Sequence, residues 1–305
     1  MNSIYLRTPL VSIIIPTYAR PTNLCRAINS CINQDYPQIE IIVVDDNGEG
    51  SNFQKETFSL LKKYIDNNQI IYIVHKDNRN GSAARNTGFK KSKGKYINYL
   101  DDDDVLGHDK ISKQVEILEK KIEYGASYSD SVFIKGKRSK FIKNPPETRR
   151  VDLILAGQNF LNTSTVLFRR DIILELNGFD ERFNRHQDYE LYIRFFRNHK
   201  MIKSNCLPVY KYQSKNIISN NPQKALDYLQ FFLSAFDDEI SKFPLKKQIY
   251  SYQYGYISSI ALINKDYKTF KYCISKIRKN GKISIKQYCY YIYCFIISIY
   301  NSLFH

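Results

Sequence analysis

Residues 96–104 read YINYLDDDD, a strand-like apolar run that ends in four consecutive aspartates. Neighbouring carboxylates repel each other by roughly 1 kcal/mol per pair even in water-like surroundings. So much negative charge behind a buried strand calls for a cation, or a ligand that carries one. Oxygen ligands favour a hard ion such as Mg²⁺ or Mn²⁺, which takes one or two carboxylates and adds water and phosphate. The stretch therefore predicts a site for a metal ion and a diphosphate.

A turn is the alternative interpretation of Asp101–Asp104, which we call the acidic tetrad. Aspartate caps helices and tolerates turn geometry, so an isolated pair of aspartates favours a turn. Four in succession at the end of an apolar strand favour the metal site.

Strands and helices alternate on the N-terminal side of the tetrad. Largely apolar strands separated by helices predict a parallel sheet covered on both faces. Ligands of such sheets bind where the strands end. Thr17-Tyr18, Asp45-Asp46 and the acidic tetrad should therefore meet at one edge. The pattern predicts strands at 11–15, 39–44, 70–74 and 96–100, and helices at 24–32, 53–65 and 83–91.

The pattern becomes mixed after the tetrad. The basic stretch 135–150, with its two prolines, predicts a mobile loop. Helical spacing places Ile111, Val115, Leu118 and Ile122 on the inner face of one helix. The rest of the pattern predicts strands at 126–134 and 163–168, a turn at 178–181, a helix at 187–197 and helices alone from about 222.

Positive charge is concentrated in the last third of the chain. The net charge is +16, and residues 201–305 hold fifteen Lys and Arg against five Asp and Glu. Such a region could serve nucleic acid, an anionic membrane surface or acidic small molecules. The sequence has no zinc-finger spacing, RNP-like aromatic motif or basic leucine zipper, so we expect no nucleic-acid partner.

Cysteine usage and the N-terminus indicate a cytoplasmic protein. The six cysteines form no C-x-x-C pair, which is typical of free thiols in a reducing compartment. Residues 1–7 lack the pattern of a signal peptide. The Tyr-rich, apolar segment 288–304 is about 17 residues long, near the lower limit for crossing a bilayer. A helix lying in the membrane surface and a core helix both remain open for it.

Eight short stretches carry a resemblance to a known family. They are VSIIIPTY at 11–18, NQDYP at 33–37, IIVVDD at 41–46, GSAARNTG at 81–88, GKYI at 94–97, LDDDD at 100–104, GFDE at 178–181 and QDYEL at 187–191. In this order they resemble the inverting nucleotide-sugar glycosyltransferases of family two, which have the GT-A fold.

The resemblance implies an α/β fold, a Rossmann-like mixed sheet of the GT-A type flanked by helices. It covers residues 8–215, with a nucleotide-binding half at about 8–104 and an acceptor half at about 105–215. Residues 216–305 lie outside it, and we expect them to form a basic, Tyr-rich, all-helical C-terminal extension.

The resemblance also implies roles for single residues. Pro16, Thr17 and Tyr18 would line the nucleotide-sugar site, with Thr17 and Tyr18 bordering the nucleobase. Asp46 would hold the edge of the base, and Arg85 would lie near the nucleotide and orient its charge. Taken alone, Arg85 could be a surface ion pair, Tyr18 a packing residue and residues 45–48 a turn.

The remaining roles fall on carboxylates. Asp101 and Asp103 match the ends of the family's D-x-D motif and would bind the divalent metal, Mn²⁺ or Mg²⁺. Asp102 would support the ribose or the metal shell, and Asp104 would be structural. Asp188 matches the catalytic base, although taken alone it could be a helix cap.

The chain departs from the family pattern at three places. Residues 45–49 read DDNGE where the family more often has DDGS, so this loop could have another shape. Gln187 stands where an acidic residue commonly precedes the base. Gln213 replaces a usual Arg, and the His often found just beyond is missing, which puts phosphate contacts from that loop in doubt.

These features predict a metal-dependent inverting glycosyltransferase. It would move a sugar from a nucleotide diphosphate donor, UDP-linked, to a saccharide or lipid-linked saccharide acceptor in cell-surface polysaccharide assembly. The basic C-terminal region would hold it on the anionic inner face of the cell membrane. A sugar nucleotidyltransferase is one alternative, but residues 16–20 lack the Gly-rich phosphate loop it needs. A non-catalytic binding protein derived from a transferase is the other.

Overall fold

The computed structural model describes residues 8–148, 150–158, 160–212, 221–280 and 291–292. They form two compact units. The first comprises the described residues up to 148 and from 161 to 212. The second comprises the described residues from 150 to 160 and from 221 onward. Residues 150–160 thus belong with the C-terminal helices although they interrupt the first unit in sequence.

The first unit contains all the strands of the described chain. They are β1 (Val11–Thr17), β2 (Ile39–Asp45), β3 (Ile71–Val74), β4 (Tyr96–Tyr99), β5 (Asp104–Val105), β6 (Ala126–Tyr128), β7 (Ser131–Lys135), β8 (Arg138–Ile142), β9 (Glu147–Thr148), β10 (Val166–Arg169), β11 (Met201–Lys203) and β12 (Val209–Tyr212). Its helices are α1 (Pro21–Ile32), α2 (Asn52–Asp66), α3 (Gly81–Lys91), α4 (Lys110–Lys120), α6 (Arg170–Glu175) and α7 (Gln187–Asn198). A 3₁₀ turn covers Thr163–Thr165.

Eight strands form one mixed sheet in the order β3-β2-β1-β4-β10-β6-β11-β9. The first four are parallel, whereas β10 runs antiparallel to β4 and β6. The first five residues of β1 are fully buried, as a parallel strand covered on both faces requires. This is the α/β GT-A architecture that the sequence predicts.

A second, smaller sheet has the order β5-β12-β7-β8. It contains the hairpin β7–β8, so the prediction of a mobile loop over 135–150 is wrong. Gly136 makes the tight turn at φ +56°, and residues 138–142 pair with β7 along their whole length. Arg138 and Lys140 are exposed on the edge strand β8, and such charged edge residues give a strand the composition of a loop.

Two further predictions differ from the structure. Residues 126–134 form two strands, because the chain leaves the large sheet after Tyr128 and joins the small one at Ser131. Ile122 is 82% exposed, since α4 ends at Lys120, two residues before it. The inner face of α4 is formed by Ile111, Val115 and Leu118, as predicted.

The second unit is helical throughout its described part. It contains α5 (Val151–Leu155), α8 (Pro222–Ala235), α9 (Asp237–Ile240), α10 (Lys246–Ile263) and α11 (Tyr267–Asn280). Within the described ranges, no helix has the length and apolarity needed to cross a membrane. Apart from residues 291–292, the segment 288–304 lies outside the described residues, as do Cys289 and Cys294. The other four cysteines are free thiols.

Candidate active site

The three predicted polar clusters meet at one edge of the large sheet. Thr17, at the end of β1, lies opposite Asp45 at the end of β2. The N–H of Asp46 donates to the carbonyl of Thr17 at 2.9 Å. The Thr17 hydroxyl donates to Asp102 Oδ2 at 2.8 Å. This edge is the switch point between β1 and β4, where α/β sheets of this kind bind ligands.

The acidic tetrad contains two buried and two accessible carboxylates. Asp102 and Asp104 are buried, whereas the side chains of Asp101 and Asp103 are 28% and 15% exposed. The Ser164 hydroxyl donates to Asp104 Oδ2 at 2.6 Å and accepts from the N–H of Asp101 at 3.1 Å. The predicted metal ligands are therefore the two members of the tetrad that solvent reaches.

Arg20 neutralises the middle of the tetrad. Its Nη1 donates to Asp103 Oδ2 at 2.5 Å, and its Nη2 lies 2.8 Å from Asp102 Oδ1 in an ion pair. Arg26 adds a longer contact, from its Nη2 to the carbonyl of Asp103 at 3.3 Å. Arg20 lies two residues after Tyr18, so its place just beyond the end of β1 was the available sequence signal.

Lys211 and Arg85 neutralise the two ends of the tetrad. Lys211 donates to Asp104 Oδ2, and its Nζ lies 3.7 Å from Asp101 Oδ2. Arg85 Nη2 donates to Asp101 Oδ1 at 2.7 Å. Lys211 could not be found from sequence, because it meets Asp104 through the pairing of β12 with β5 over 107 residues of chain.

The surroundings shift the carboxyl pKa values in opposite directions. Burial raises the pKa of Asp102 to about 7 against the attraction of Arg20, and that of Asp104 to about 6 against Lys211. Burial also raises the pKa of Asp103. For Asp101 burial acts the same way, but Arg85 and Lys211 outweigh it and lower the pKa.

The carboxylate of Asp46 accepts four hydrogen bonds from residues of a single loop. Its Oδ1 accepts from His75 Nδ1 at 2.6 Å and from the N–H of Arg79 at 2.9 Å. Its Oδ2 accepts from Asn78 Nδ2 at 2.9 Å and from the N–H of Asn80 at 2.8 Å. The carboxylate is buried and fixes the loop 75–80. Its predicted contact with a base edge stays a prediction.

The loop that Asp46 holds leads directly into the helix that carries Arg85. Asn80 adopts φ 93° and caps α3 by accepting the N–H of Ala83 at 3.1 Å. Gly88 lets α3 approach β1 closely, since a Cβ there would lie 2.3 Å from Ile14 Cγ2. The position of Arg85 therefore follows from a cap and a close helix–strand contact.

Arg85 joins the tetrad to the start of α7. While Nη2 binds Asp101, its Nη1 donates to Gln187 Oε1 at 2.8 Å. The neighbouring Asn86 holds the segment before α7 through two hydrogen bonds with the backbone of Phe179, at 2.8 and 2.9 Å. The surface ion pair considered for Arg85 is thus a partly buried bridge between two regions.

Asp188 lies at the second position of α7, beside Gln187. Its carboxylate accepts the N–H of Tyr189 at 2.9 Å. Burial raises its pKa, and the negative charge of Asp101 adds to the effect, while Arg85 opposes it. Its pKa therefore lies closer to neutral pH than that of an ordinary aspartate, which suits a general base.

Glu190 is excluded as a rival base by its partners. It is buried, and its two oxygens bind Arg194 at 2.5 and 2.7 Å. Arg194 also donates to the carbonyl of Gly178 at 2.8 Å. Glu190 therefore fixes the turn before α7, whereas only one oxygen of Asp188, Oδ1, accepts a hydrogen bond within the described part of the chain.

The predicted nucleobase residues have unequal exposure. Tyr18 is 54% exposed, Pro16 is half-buried, and Thr17 is buried with its hydroxyl bonded to Asp102. Ala19, in the left-handed region at φ 55°, donates its N–H to Asn47 Oδ1 at 2.7 Å. This bond ties the ends of β1 and β2 together. Gln213 lies outside the described residues.

The tetrad fits a divalent cation that is shared with a bound diphosphate. Within the described chain, Asp103 Oδ1 receives no hydrogen bond from another side chain, and Asp101 Oδ2 has Lys211 as a distant partner. Four carboxylates face Arg20, Arg85 and Lys211, and because burial raises the pKa of Asp102 to about 7, these three cations nearly balance the charge of the tetrad near neutral pH. No group of three or more metal-ligating side chains exists among the described residues. Two protein carboxylates plus phosphate oxygens are the usual supply for Mg²⁺ or Mn²⁺.

Related sequences match most of the chain. An uncharacterized glycosyltransferase of Rickettsia prowazekii is 34% identical over 197 residues, which are 62% of this chain and 59% of the relative. The amylovoran biosynthesis glycosyltransferase AmsB of Erwinia amylovora is 24% identical over 255 residues, 79% of this chain and 81% of that one. The chain spans 28%, 59% and 32% of three Rickettsia relatives that it matches.

Solved structures share the fold. S. aureus TarS 1–349 in complex with UDP-GlcNAc matches with a TM-score of 0.58 at 16% identity, covering 90% of this chain and 93% of that one. The mannosyltransferase PcManGT from Pyrobaculum calidifontis, in complex with GDP-Man and Mn²⁺, matches with a TM-score of 0.57 at 16% identity, covering 97% and 85%. The sequence profile described as Glycosyl transferase family 2 matches residues 12–176, more than half of the chain. The chain therefore belongs to glycosyl transferase family 2.

Proposed function

We propose that this protein transfers a sugar from a nucleoside diphosphate donor to a saccharide acceptor by a single displacement that inverts the anomeric carbon. The observation that carries the proposal is the Arg85 bridge. It joins Asp101, on the side of the leaving diphosphate, to Gln187, next to the base Asp188. One side chain thus connects the proposed metal side of the site to the start of the helix that carries the proposed base.

The donor diphosphate would lie against Asp101 and Asp103. These two residues would hold a divalent cation, Mn²⁺ or Mg²⁺. That ion supplies positive charge where the leaving phosphate becomes more negative. Arg20, Arg85 and Lys211 already balance most of the tetrad's charge, so a diphosphate would add a negative charge that the protein alone does not offset.

Asp188 would remove the proton from the attacking acceptor hydroxyl. A positioned general base of this kind contributes about 10²–10⁴-fold to the rate. The raised pKa of Asp188 improves the match to a base that works near neutral pH. Because one displacement breaks the bond to the diphosphate and forms the bond to the acceptor, the product has the inverted configuration.

For the product we propose a polysaccharide, and for the donor a UDP-sugar rather than a GDP-sugar such as the GDP-Man in the PcManGT structure. AmsB is named for amylovoran biosynthesis, and the TarS structure contains UDP-GlcNAc. We propose that the nucleobase of the donor lies against the surface near Tyr18. Asp46 would position the nucleobase indirectly, through the loop 75–80 that it fixes.

The C-terminal helices would hold the enzyme on the cytoplasmic face of the membrane, near a lipid-linked acceptor. Helix α11 carries exposed Lys268, Lys271 and Arg278 opposite a buried face that contains Cys273 and Ile277. A basic helix face attracts anionic lipid. Sedimentation with vesicles that contain phosphatidylglycerol should be lost when these three cations are replaced by Gln. Equal sedimentation of the variant would contradict this localisation.

A panel of nucleotide sugars tests the reaction. With Mn²⁺ present, we expect donor turnover and transfer for one of them, and Asp188→Asn should lower transfer by about 10²–10⁴-fold. Glu190→Gln is the matched control for position on α7, and its effect should fall on stability instead. Full transfer by Asp188→Asn would refute the proposed base.

A further inference from the structure

One face of the small sheet begins at the acidic tetrad and carries exposed cations at its far end. Paired residues of neighbouring strands point to the same face of a sheet. The register places Asp104 beside Lys211, Lys211 beside Phe133, and Phe133 beside Lys140. One face of the sheet therefore runs from a carboxylate of the candidate active site to the edge strand β8.

Cations extend this face at its outer end. Lys135 pairs with Arg138 in the same register, next to the pair of Phe133 and Lys140, and all four are exposed. We call Lys135, Arg138 and Lys140 the basic strip. Strands lie about 4.8 Å apart and residues rise about 3.3 Å along each strand, so the strip lies about 12–16 Å from the backbone of Asp104.

The charge of the hairpin is one-sided. Residues 131–146 contain five Lys and Arg and no Asp or Glu. The three cations of the basic strip have no ion pair within the described chain. Lysine on an edge strand also prevents sheets from joining at their edges. That role accounts for Arg138 and Lys140, but not for Lys135 on the inner strand β7.

We propose that the basic strip binds the acidic groups of a polyanionic saccharide acceptor and directs its end toward Asp188. This inference rests on the proposed function and narrows its acceptor to a saccharide that carries carboxylates or phosphates. Phe133 is 39% accessible and lies between Lys211 and Lys140 in the strand register. Complementary charge at the rim of a site chiefly steers the ligand and fixes its register.

Binding of a labelled hexagalacturonide, which carries a carboxylate on every sugar, tests the strip. We expect the wild type to bind it more tightly than neutral maltohexaose and to lose affinity as salt rises. Lys135→Gln/Arg138→Gln/Lys140→Gln should weaken binding at least tenfold. The matched control Lys62→Gln/Lys113→Gln/Lys120→Gln removes the same charge from other exposed positions of the unit and should bind like the wild type.

Three results would overturn the inference. They are equal binding of the acidic oligomer by both triple variants, no preference of the wild type for the acidic oligomer, or a strip variant that no longer binds phosphatidylglycerol vesicles but still binds the oligomer.

Hydrolysis of the donor without acceptor separates failure of this inference from failure of the proposed function. If the strip variant hydrolyses the donor like the wild type, the reaction stands and the acceptor assignment alone is being tested. If the wild type turns over none of the nucleotide sugars in the panel with Mn²⁺ present, the proposed function itself fails.

Discussion

Asp46 and Asp103 lie at the same edge of the large sheet, beyond the ends of β2 and β4, but their carboxylates have different partners. Asp46 receives four hydrogen bonds from one loop, two of them from backbone N–H groups. Asp103 is paired with a single side chain, that of Arg20, and keeps one oxygen without a side-chain donor in the described chain. The first carboxylate builds the site, and the second is available to a ligand.

Two buried lysines show the same contrast with the charges reversed. Lys110 is held by neutral amide oxygens, those of Asn98 at 3.1 Å and Gln114 at 2.7 Å, and burial lowers its pKa to about 7. For Lys211 burial acts in the same direction, but Asp104 and Asp101 outweigh it and raise the pKa. The charge of a lysine in these surroundings thus depends on its partners. Carboxylate partners keep Lys211 charged, whereas the neutral amide partners of Lys110 do not offset the effect of burial.

The largest expected effect concerns the stability of the Asp46 region. Asp46→Ala should lower the free energy of unfolding by about 3–5 kcal/mol, because it removes a buried charge and leaves its donors unpaired. Urea unfolding monitored by circular dichroism measures the change. Asp103→Ala is the control at the accessible site, and a loss as large as that of Asp46→Ala would remove the distinction between the two carboxylates.

The next effect concerns pH and Lys110. Its pKa is about 7 in the folded protein and ordinary when unfolded, so between these values the unfolded chain binds more protons and stability rises with pH. From pH 7 to 8.5 the gain should be about 1.5 kcal/mol. Lys110→Met should remove this gain, measured as the difference between the two proteins in urea unfolding. Parallel pH curves would show that Lys110 is charged in the core.

The smallest effect concerns the bridge between the two halves of the site. Gln187→Ala removes one hydrogen bond from Arg85, worth about 0.5–1.5 kcal/mol, and should slow transfer by about 2- to 10-fold. The unfolding midpoint should stay close to that of the wild type. Steady-state kinetics with donor and acceptor measure the effect. An unchanged rate would mean that Arg85 is positioned by Asp101 alone.

Much of the fold could be predicted because local patterns determine it. The apolar strands and their polar ends follow from sequence, and the parallel order then brings Thr17, Asp46 and the acidic tetrad to one edge. The sequence also separates Asp188 from Glu190, since residues two apart on a helix point in different directions.

The remainder depends on contacts between distant parts of the chain. Lys211 reaches Asp104 through a strand pair that no local pattern contains. The hairpin β7–β8 has the composition of a loop, because its strands expose one face and an edge to water. The four hydrogen bonds of Asp46 depend on where the loop 75–80 folds back, so sequence alone could not show that protein donors occupy the Asp46 carboxylate.

Binding of UDP with and without Mn²⁺, measured by titration calorimetry, tests the central contrast most directly. We predict that Mn²⁺ strengthens binding of UDP to the wild type, and that Asp103→Asn abolishes this gain while the free energy of unfolding is unchanged. GDP serves as the comparison for the nucleobase. If Asp103→Asn binds UDP with the same dependence on Mn²⁺ as the wild type, Asp103 is not a ligand of the metal and diphosphate, and the proposed division of roles between Asp46 and Asp103 is wrong.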